Sequence, residues 1–282
     1  DSVVSPQTTF VLAPETAISR GFFEEDFEQT EIYSILKKRV RAWEGPALYL
    51  GASTFRFFEN HNSRASRPFK DGSGYYESYN TSLLIERLNP PQFVHKSKLV
   101  LGVEKIPFSH WFPSLENLSI DLGGSSGTLG VEASPKVLQA NGVTFAPVIC
   151  YESVYGEFIA EQCRKGAEVI FIITNDGWWE NTPGHKQHQT FARLRAVETR
   201  RYIARSANTG ISSVINQRGD VVAQTSFWVP AVLKEELQLN QAPTFYVVYG
   251  DVIGRFFGFV VFLLIIFTIV KYWKGYIKSV KS

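Results

Sequence analysis

An uncharged run near the C-terminus places the strongest constraint on how this chain can fold. Residues 256–270 read FFGFVVFLLIIFTIV, without one charged side chain. A complete membrane span needs about 20 residues, and the neighbours at 252–254 and 272–273 bring the run to that length. A buried core helix is the alternative, but core helices rarely have apolar residues on every face. We therefore predict a transmembrane helix over residues 252–273.

The residues that flank this helix predict its orientation. Lysines and no acidic residue follow the run, at Lys271, Lys274, Lys278 and Lys281. Because positively charged flanks stay on the cytoplasmic side of a membrane, residues 274–282 are expected to form a basic cytoplasmic tail. A single span then places residues 1–245 on the opposite side, which in a bacterium is the periplasm.

Residues 1–245 have the pattern of an α/β domain. Strand-like apolar runs alternate with segments of helical character, an alternation typical of sheets covered by helices. The apolar runs lie at 9–13, 47–51, 82–85, 144–150 and 169–174, and helices are predicted at 30–41, 155–165 and 185–201. A polar turn at 216–220 between two short apolar runs predicts a hairpin.

Charge and cysteine content argue against two broad classes of protein. The formal net charge is +2, whereas a nucleic-acid-binding domain usually carries a strongly basic surface. No nucleic-acid partner is therefore predicted. The two cysteines, Cys150 and Cys163, are too few for a disulfide scaffold. His185 and His188 stand three residues apart, but no further ligand set accompanies them, so we predict no metal site.

Three residues with complementary chemistry, Glu15, Lys96 and Cys150, each follow a strand-like run. Ligands of α/β sheets gather at the carboxyl ends of strands, so these side chains could converge. A cysteine thiolate is a nucleophile, a glutamate can take the thiol proton, and a lysine can stabilise an oxyanion. The product would be a thioester, which water or an amine then cleaves. Taken singly, each residue also fits a structural role in a core, a turn or a solvated surface.

Five motifs occur in a fixed order along the chain. They are PETA (14–17), HKSKLVLGVEKIPF (95–108), ICYESVYGE (149–157), TNDGWW (174–179) and GHKQHQTFARLRAVETRRYIARSANTGISSVINQRG (184–219). In this order they resemble the carbon–nitrogen hydrolase (nitrilase) superfamily. Lys96 with Glu104, the CYE triplet at Cys150 and the final membrane segment narrow the resemblance to the bacterial apolipoprotein N-acyltransferase family.

The resemblance implies a role for each matching residue. Glu15 matches the general base, Lys96 the catalytic lysine and Cys150 the nucleophile. The supporting and substrate-binding positions it implies are Glu104, Tyr151, Glu152 and Trp178. Among these, the glutamates match residues that support the site, and the two aromatic residues match positions that flank the path of the acyl chain or substrate.

The resemblance also implies a fold and an activity. The expected fold is a nitrilase-like αββα sandwich, truncated at its N-terminus because Glu15 comes so early, followed by one C-terminal transmembrane helix. The expected reaction moves an acyl chain from a phospholipid to Cys150 and then to the N-terminal diacylglyceryl-cysteine of an apolipoprotein, without a metal or organic cofactor. The enzyme would reside in the bacterial inner membrane, with its catalytic domain in the periplasm.

Two other functions remain open from the sequence. A membrane-tethered amidase or nitrilase would use the same glutamate, lysine and cysteine, with water as the acceptor in place of an amine. A non-catalytic binding module would keep the fold, but a Cys150→Ala substitution would then be silent.

Overall fold

The structure is a computed structural model of the 282-residue chain. It describes residues 3–101, 104, 128–180 and 182–281, and within these ranges the side chains of Trp178 and of residues 275–281 lie outside the description.

Among the described residues of the N-terminal half, six strands form one mixed sheet. They are β1 (Phe10–Leu12), β2 (Ile18–Phe23), β3 (Ala47–Phe58), β4 (Arg67–Pro68), β5 (Tyr75–Ile85) and β6 (Gln92–His95). The long strands β3 and β5 pair antiparallel along their whole shared length, and β1 and β2 run parallel to β3. Helix α1 (Glu31–Trp43) precedes β3. Thr30 caps α1, because its hydroxyl accepts a hydrogen bond from the Tyr33 N–H at 3.1 Å.

The second sheet also has six strands within the described residues. They are β7 (Leu138–Ala140), β8 (Val143–Ile149), β9 (Val169–Asn175), β10 (Ile203–Asn208), β11 (Ser213–Ile215) and β12 (Val221–Gln224). Strands β8, β9 and β10 are parallel neighbours. Helix α2 (Gly156–Arg164) connects β8 to β9, and α3 (Gly184–Thr199) connects β9 to β10. Parallel neighbours require such crossovers.

The alternation of side chains along β8 explains the layering. Phe145 and Ile149 point into the core between the two sheets, where Tyr49 of the first sheet meets them. Ala146 and Val148 point the other way and pack on α2 and α3. Because successive side chains of a strand face opposite sides, a strand buried on both faces must be apolar throughout.

The outer face of the first sheet packs against α1. Leu48 and Leu50 of β3 and Leu83 of β5 form one cluster with Val40 of the helix. The layers therefore run helix, sheet, sheet, helices, and the predicted αββα sandwich is confirmed. The run at 47–51 opens a strand that extends to Phe58, because pairing with β5 continues after the apolar residues end. The predicted hairpin at 216–220 joins β11 and β12.

The chain ends in two helices, α4 (Phe245–Tyr249) and α5 (Val252–Lys281). Within α5, the 23 residues Val252–Lys274 are long and apolar enough to cross a membrane, and none of the most apolar window is buried. Within the described residues, this helix therefore does not pack as a buried core helix. Arg255 at the start of α5 forms an ion pair with Glu157 of α2. The Arg164 guanidinium of α2 donates to the Val247 carbonyl of α4.

Candidate active site

Cys150 lies directly after the last residue of β8, at the first position of a short 3-10 helix, Cys150–Val154. Its φ of +50° is in the left-handed region, which a residue with a Cβ adopts only at a cost. This bend turns the chain out of the sheet at the strand end, and the residue is partly exposed. A nucleophile at such a bend is presented above the sheet rather than within it.

Glu15 follows β1 on the neighbouring sheet and is 4% exposed. One carboxylate oxygen, Oε1, accepts from the Asn80 amide at 2.7 Å, and the other, Oε2, accepts from the Asn175 backbone N–H at 2.7 Å. Gly51 of β3 makes room for this approach, because a Cβ there would lie 2.6 Å from the Glu15 Cα. Residues from both sheets therefore fix this carboxylate.

Lys96 directly follows β6 and is 1% exposed. Its ammonium lies 3.3 Å from Glu15 Oε1 and 2.8 Å from Glu104 Oε1. The Asn80 amide also donates to Glu104 Oε1 at 2.9 Å, so one asparagine bridges both carboxylates. Burial alone would lower the pKa of Lys96, but the negative charges of Glu15 and Glu104 outweigh it and raise that pKa. The ammonium is therefore held in its charged form.

The thiol of Cys150 responds to the same charges. Burial and the negative charge of Glu15 raise its pKa to about 12, while the Lys96 ammonium and a hydrogen bond with Thr174 oppose that rise. The resting thiol is thus protonated at neutral pH. Nucleophilic attack by this thiol would require a base, and the Glu15 carboxylate, which pairs with Lys96 at 3.3 Å, is the candidate for that role.

Glu152 connects the lysine loop to the cysteine bend. Its Oε1 accepts from the Ser97 N–H at 2.5 Å and the Lys98 N–H at 3.3 Å, while Oε2 accepts from the Ile149 N–H at 2.8 Å. Burial raises the pKa of Glu152 to about 7, although these backbone donors oppose the rise. The side chain therefore fastens residues next to Lys96 and next to Cys150 to each other.

Aromatic residues and one lysine line the surface beside this bend. The Tyr151 and Tyr155 rings meet edge to face with centroids 5.3 Å apart. The exposed Lys98 ammonium lies 5.7 Å from the Tyr155 centroid and 5.9 Å from that of Phe158. The remaining predicted position, Trp178, belongs to a 3-10 helix, Asp176–Trp179, and its side chain lies outside the described residues.

The structure adds residues that the sequence analysis did not assign to the site. Asn80 bridges Glu15 and Glu104, and the Thr174 hydroxyl donates to Asp176 Oδ1 at 3.1 Å. His188, considered only as a metal ligand, instead contacts Asp176 and the Cys150 carbonyl. The TND motif contained a signal for Asp176, because an acidic residue at a strand end is typical of a site. Within the described ranges, no group of three potential ligand side chains could hold a metal ion.

An αββα sandwich with a strand-end cysteine beside a buried glutamate–lysine pair defines the class of this protein. The family model described as carbon-nitrogen hydrolase matches residues 8–245, and the chain belongs to that family.

Within the family, the chain is similar to apolipoprotein N-acyltransferases. It is 32% identical over 257 residues to that of Chlorobaculum tepidum, covering 89% of this chain and 48% of the relative. It is also 32% identical over 245 residues to that of Nitrosomonas europaea, covering 86% of this chain and 44% of the relative. The chain thus spans about half the length of the curated relatives it matches.

Solved structures share the fold. Nit3 of Saccharomyces cerevisiae, a member of the nitrilase superfamily, aligns with a TM-score of 0.51 and 17% identity over 79% of this chain and 74% of that chain. A CN-hydrolase superfamily protein of Xanthomonas campestris aligns with a TM-score of 0.50 and 15% identity over 79% of this chain and 75% of that chain. Both likenesses concern the fold alone.

Proposed function

We propose that this chain carries the catalytic domain of a membrane-bound N-acyltransferase that acylates lipoproteins. In this proposal Cys150 receives an acyl chain from a phospholipid and passes it to the α-amine of an N-terminal diacylglyceryl-cysteine. Glu15 is the general base and Lys96 the oxyanion partner. The similarity to proteins named apolipoprotein N-acyltransferase supports the choice of acceptor.

One structural observation carries the proposal. The buried Glu15–Lys96 ion pair acts electrostatically on the Cys150 thiol, and the domain that holds it leads directly into an exposed helix long enough to cross a membrane. A thiol nucleophile with a base and a cation suits acyl transfer. A membrane helix fixed to the same domain keeps that nucleophile close to a lipid donor.

The first half-reaction forms the acyl-enzyme. Glu15 takes the thiol proton as the Cys150 sulfur attacks the ester carbonyl carbon of the phospholipid. The Lys96 ammonium stabilises the negative charge that develops on the carbonyl oxygen. The tetrahedral intermediate then collapses, the carbon–oxygen bond to the glycerol breaks, and the departing alkoxide takes the proton from Glu15. A lysophospholipid leaves, and the thioester remains.

The second half-reaction uses the same groups in the opposite order. The neutral amine of the acceptor attacks the thioester carbonyl, and Glu15 takes a proton from the amine. Lys96 again stabilises the oxyanion. Collapse breaks the carbon–sulfur bond, and the Cys150 thiolate leaves and regains the proton from Glu15. The product is an amide, and the thiol is ready for another cycle.

The proposal includes a location in the cell. The lysines after the apolar run favour a cytoplasmic C-terminus, so the catalytic domain would face the periplasm of the inner membrane. The Tyr151–Tyr155 pair near the nucleophile offers an apolar surface with polar tips, which suits the boundary between acyl chain and headgroup. Tyr151 and Trp178 are proposed to line the acyl path.

The test measures acylation of Cys150 directly. The protein, with its membrane helix, is incubated in vesicles of a phospholipid with a heavy-isotope acyl chain, and the Cys150 peptide is weighed by mass spectrometry. We expect the acyl mass on this peptide. It should be absent in Cys150→Ala and retained in Cys163→Ala, because Cys163 is packed in the helix-side core. Adding a diacylglyceryl-cysteinyl peptide should move the labelled chain to its amine.

Other outcomes would contradict the proposal. Release of labelled fatty acid with no transfer to the peptide would make water the acceptor and the protein a hydrolase. An unlabelled Cys150 peptide, with ammonia released from small amides instead, would identify an amidase.

A further inference from the structure

We propose that His188 is a positioning residue for the nucleophile. Its imidazole holds the carbonyl group of Cys150, and thereby keeps the backbone bend that aims the sulfur at the substrate. This inference rests on the proposed role of Cys150 as the nucleophile, and it concerns a residue outside the predicted triad.

The backbone carbonyl of Cys150 has two side-chain contacts. The Ser153 hydroxyl donates to it at 2.8 Å, and His188 Nε2 lies 3.1 Å from it. Because the φ of Cys150 is +50°, the bend is unfavourable on its own and persists only where surrounding contacts stabilise it. The two carbonyl contacts supply such stabilisation.

The far side of the imidazole is fixed in turn. His188 Nδ1 lies 3.0 Å from Asp176 Oδ1, and the Arg205 guanidinium donates to Asp176 Oδ2 at 2.7 Å. Asp176 is fully buried, and His188 and Arg205 are nearly so. Gly210 packs so closely on Asp176 that a Cβ there would overlap the carboxylate. The ring therefore cannot rotate or shift without disturbing the surrounding core.

Both edges of the ring have polar neighbours. On one edge, Asp176 is an acceptor, because burial is outweighed by the His188 hydrogen bond and the Arg205 charge, and its pKa falls to about 2. The Arg205 guanidinium also lies 3.2 Å from Nδ1. On the other edge, Nε2 lies 3.0 Å from the Ser153 hydroxyl oxygen. Because the Ser153 hydroxyl donates its single hydrogen to the Cys150 carbonyl, a hydrogen on Nε2 is what lets the ring donate to the same carbonyl in this proposal.

The same contacts also compensate the buried negative charge of Asp176. The negative charge of Asp176 raises the pKa of the Cys150 thiol and opposes the thiolate. The Arg205 guanidinium, 2.7 Å from Asp176 Oδ2, compensates that charge. The network therefore positions the nucleophile without leaving an uncompensated carboxylate near the sulfur.

Two substitutions test the contacts of the two ring nitrogens separately. In His188→Gln the side-chain amide nitrogen can reach the place of Nε2 and donate to the Cys150 carbonyl. In His188→Asn it can reach only the place of Nδ1 and donate to Asp176. His188→Ala removes both contacts. His185→Gln is the matched control, because His185 is a buried histidine on the same helix that stacks on Phe227.

The first measurement is the rate of acyl-enzyme formation in phospholipid vesicles. We expect His188→Ala and His188→Asn to lower the maximal rate about 10- to 100-fold, as loss of one buried hydrogen bond to a polar partner implies. The lipid concentration for half-maximal rate should change little, because the donor does not touch this residue. His188→Gln should recover most of the rate, and His185→Gln should leave it within about 3-fold of the wild type.

The second measurement is alkylation of Cys150 by iodoacetamide, which needs no lipid. The same order of variants is expected, with glutamine closest to the wild type. If alkylation of Cys150 in the variants follows this order, but the wild-type protein takes no acyl chain, the proposed function fails and the positioning role stands. If acylation occurs but asparagine restores it as well as glutamine, or His185→Gln lowers it equally, the positioning role is overturned. Circular dichroism identifies the variants that fold, and only these are compared. If His188→Ala does not fold, the comparison of His188→Gln with His188→Asn still tests the positioning role.

Discussion

A Glu152→Gln substitution should change the way in which the stability of this protein depends on pH. The Glu152 carboxylate is buried and accepts hydrogen bonds from Ser97, Lys98 and Ile149. A glutamine has one acceptor oxygen and one donor nitrogen, so its amide group must face at least one of these N–H groups. The unsatisfied contact should cost about 1–3 kcal/mol of free energy of unfolding at every pH.

The pH dependence comes from the carboxylate of the wild type. Burial raises the pKa of Glu152 from 4.5 to about 7 in the folded protein. Between these two values the folded state binds the proton more tightly than the unfolded state. The contribution of Glu152 to stability is therefore greatest below pH 4.5 and is lost as the pH rises through about 7, by an amount on the order of 3 kcal/mol at 1.36 kcal/mol for each pKa unit. The glutamine variant cannot titrate and should lack this loss.

The assay is urea unfolding in detergent micelles at a series of pH values from about 4 to about 8. We expect the wild type to lose stability relative to Glu152→Gln as the pH rises, so that the difference between them shrinks or reverses near neutrality. Glu161→Gln is the control, because Glu161 forms an exposed ion pair with Lys165 and should change stability by about 1 kcal/mol or less. A difference between Glu152→Gln and wild type that stays constant with pH, or grows as the pH rises, would refute the reasoning.

Three further substitutions test the site and its surface. Gly51→Ala would place a Cβ 2.6 Å from the Glu15 Cα, so it should lower the free energy of unfolding by about 1–3 kcal/mol. The displaced Glu15 should also slow acyl-enzyme formation in the vesicle assay. Thr174→Val removes the hydroxyl that donates to the buried Asp176 carboxylate at 3.1 Å, so the free energy of unfolding should fall by about 1–3 kcal/mol in urea, and unchanged stability would contradict that bond. Lys98→Glu reverses an exposed charge beside Tyr155, so acylation should slow more in vesicles of anionic lipid than in zwitterionic ones, and equal slowing would assign Lys98 another role.

The sequence predicted those parts of the site that follow strands. Cys150 and Lys96 directly follow β8 and β6, and Glu15 comes soon after β1. Each strand is short and apolar, so its end is visible in the sequence as a change to polar residues. The α/β class followed from alternating apolar runs and helices, because such a pattern has few ways to bury its apolar faces, whereas the αββα sandwich was expected from the resemblance of the motifs to the nitrilase superfamily.

Contacts between distant segments could not be predicted in this way. Asn80 lies inside β5, where nothing local distinguishes it from other polar residues of the strand, and its partner Glu15 is 65 residues away. The bond between Glu152 and Ser97 spans 55 residues. His188 suggested a metal because only its spacing from His185 was visible. Its actual partners become apparent when the helix that carries it is packed on the strand ends.

The short 3-10 helix and α2 connect Cys150 to the C-terminal apolar helix. Cys150 begins the 3-10 helix, α2 follows it, and Glu157 near the start of α2 is paired with Arg255 of α5. Gly250, with a φ of +71°, is the bend between α4 and α5. If α5 spans a membrane as proposed, its tilt in a thinner bilayer would load this connection unless Gly250 absorbs the motion. Membrane thickness would then be a mechanical input to the proposed chemistry, and acylation rates in vesicles of graded chain length would measure it.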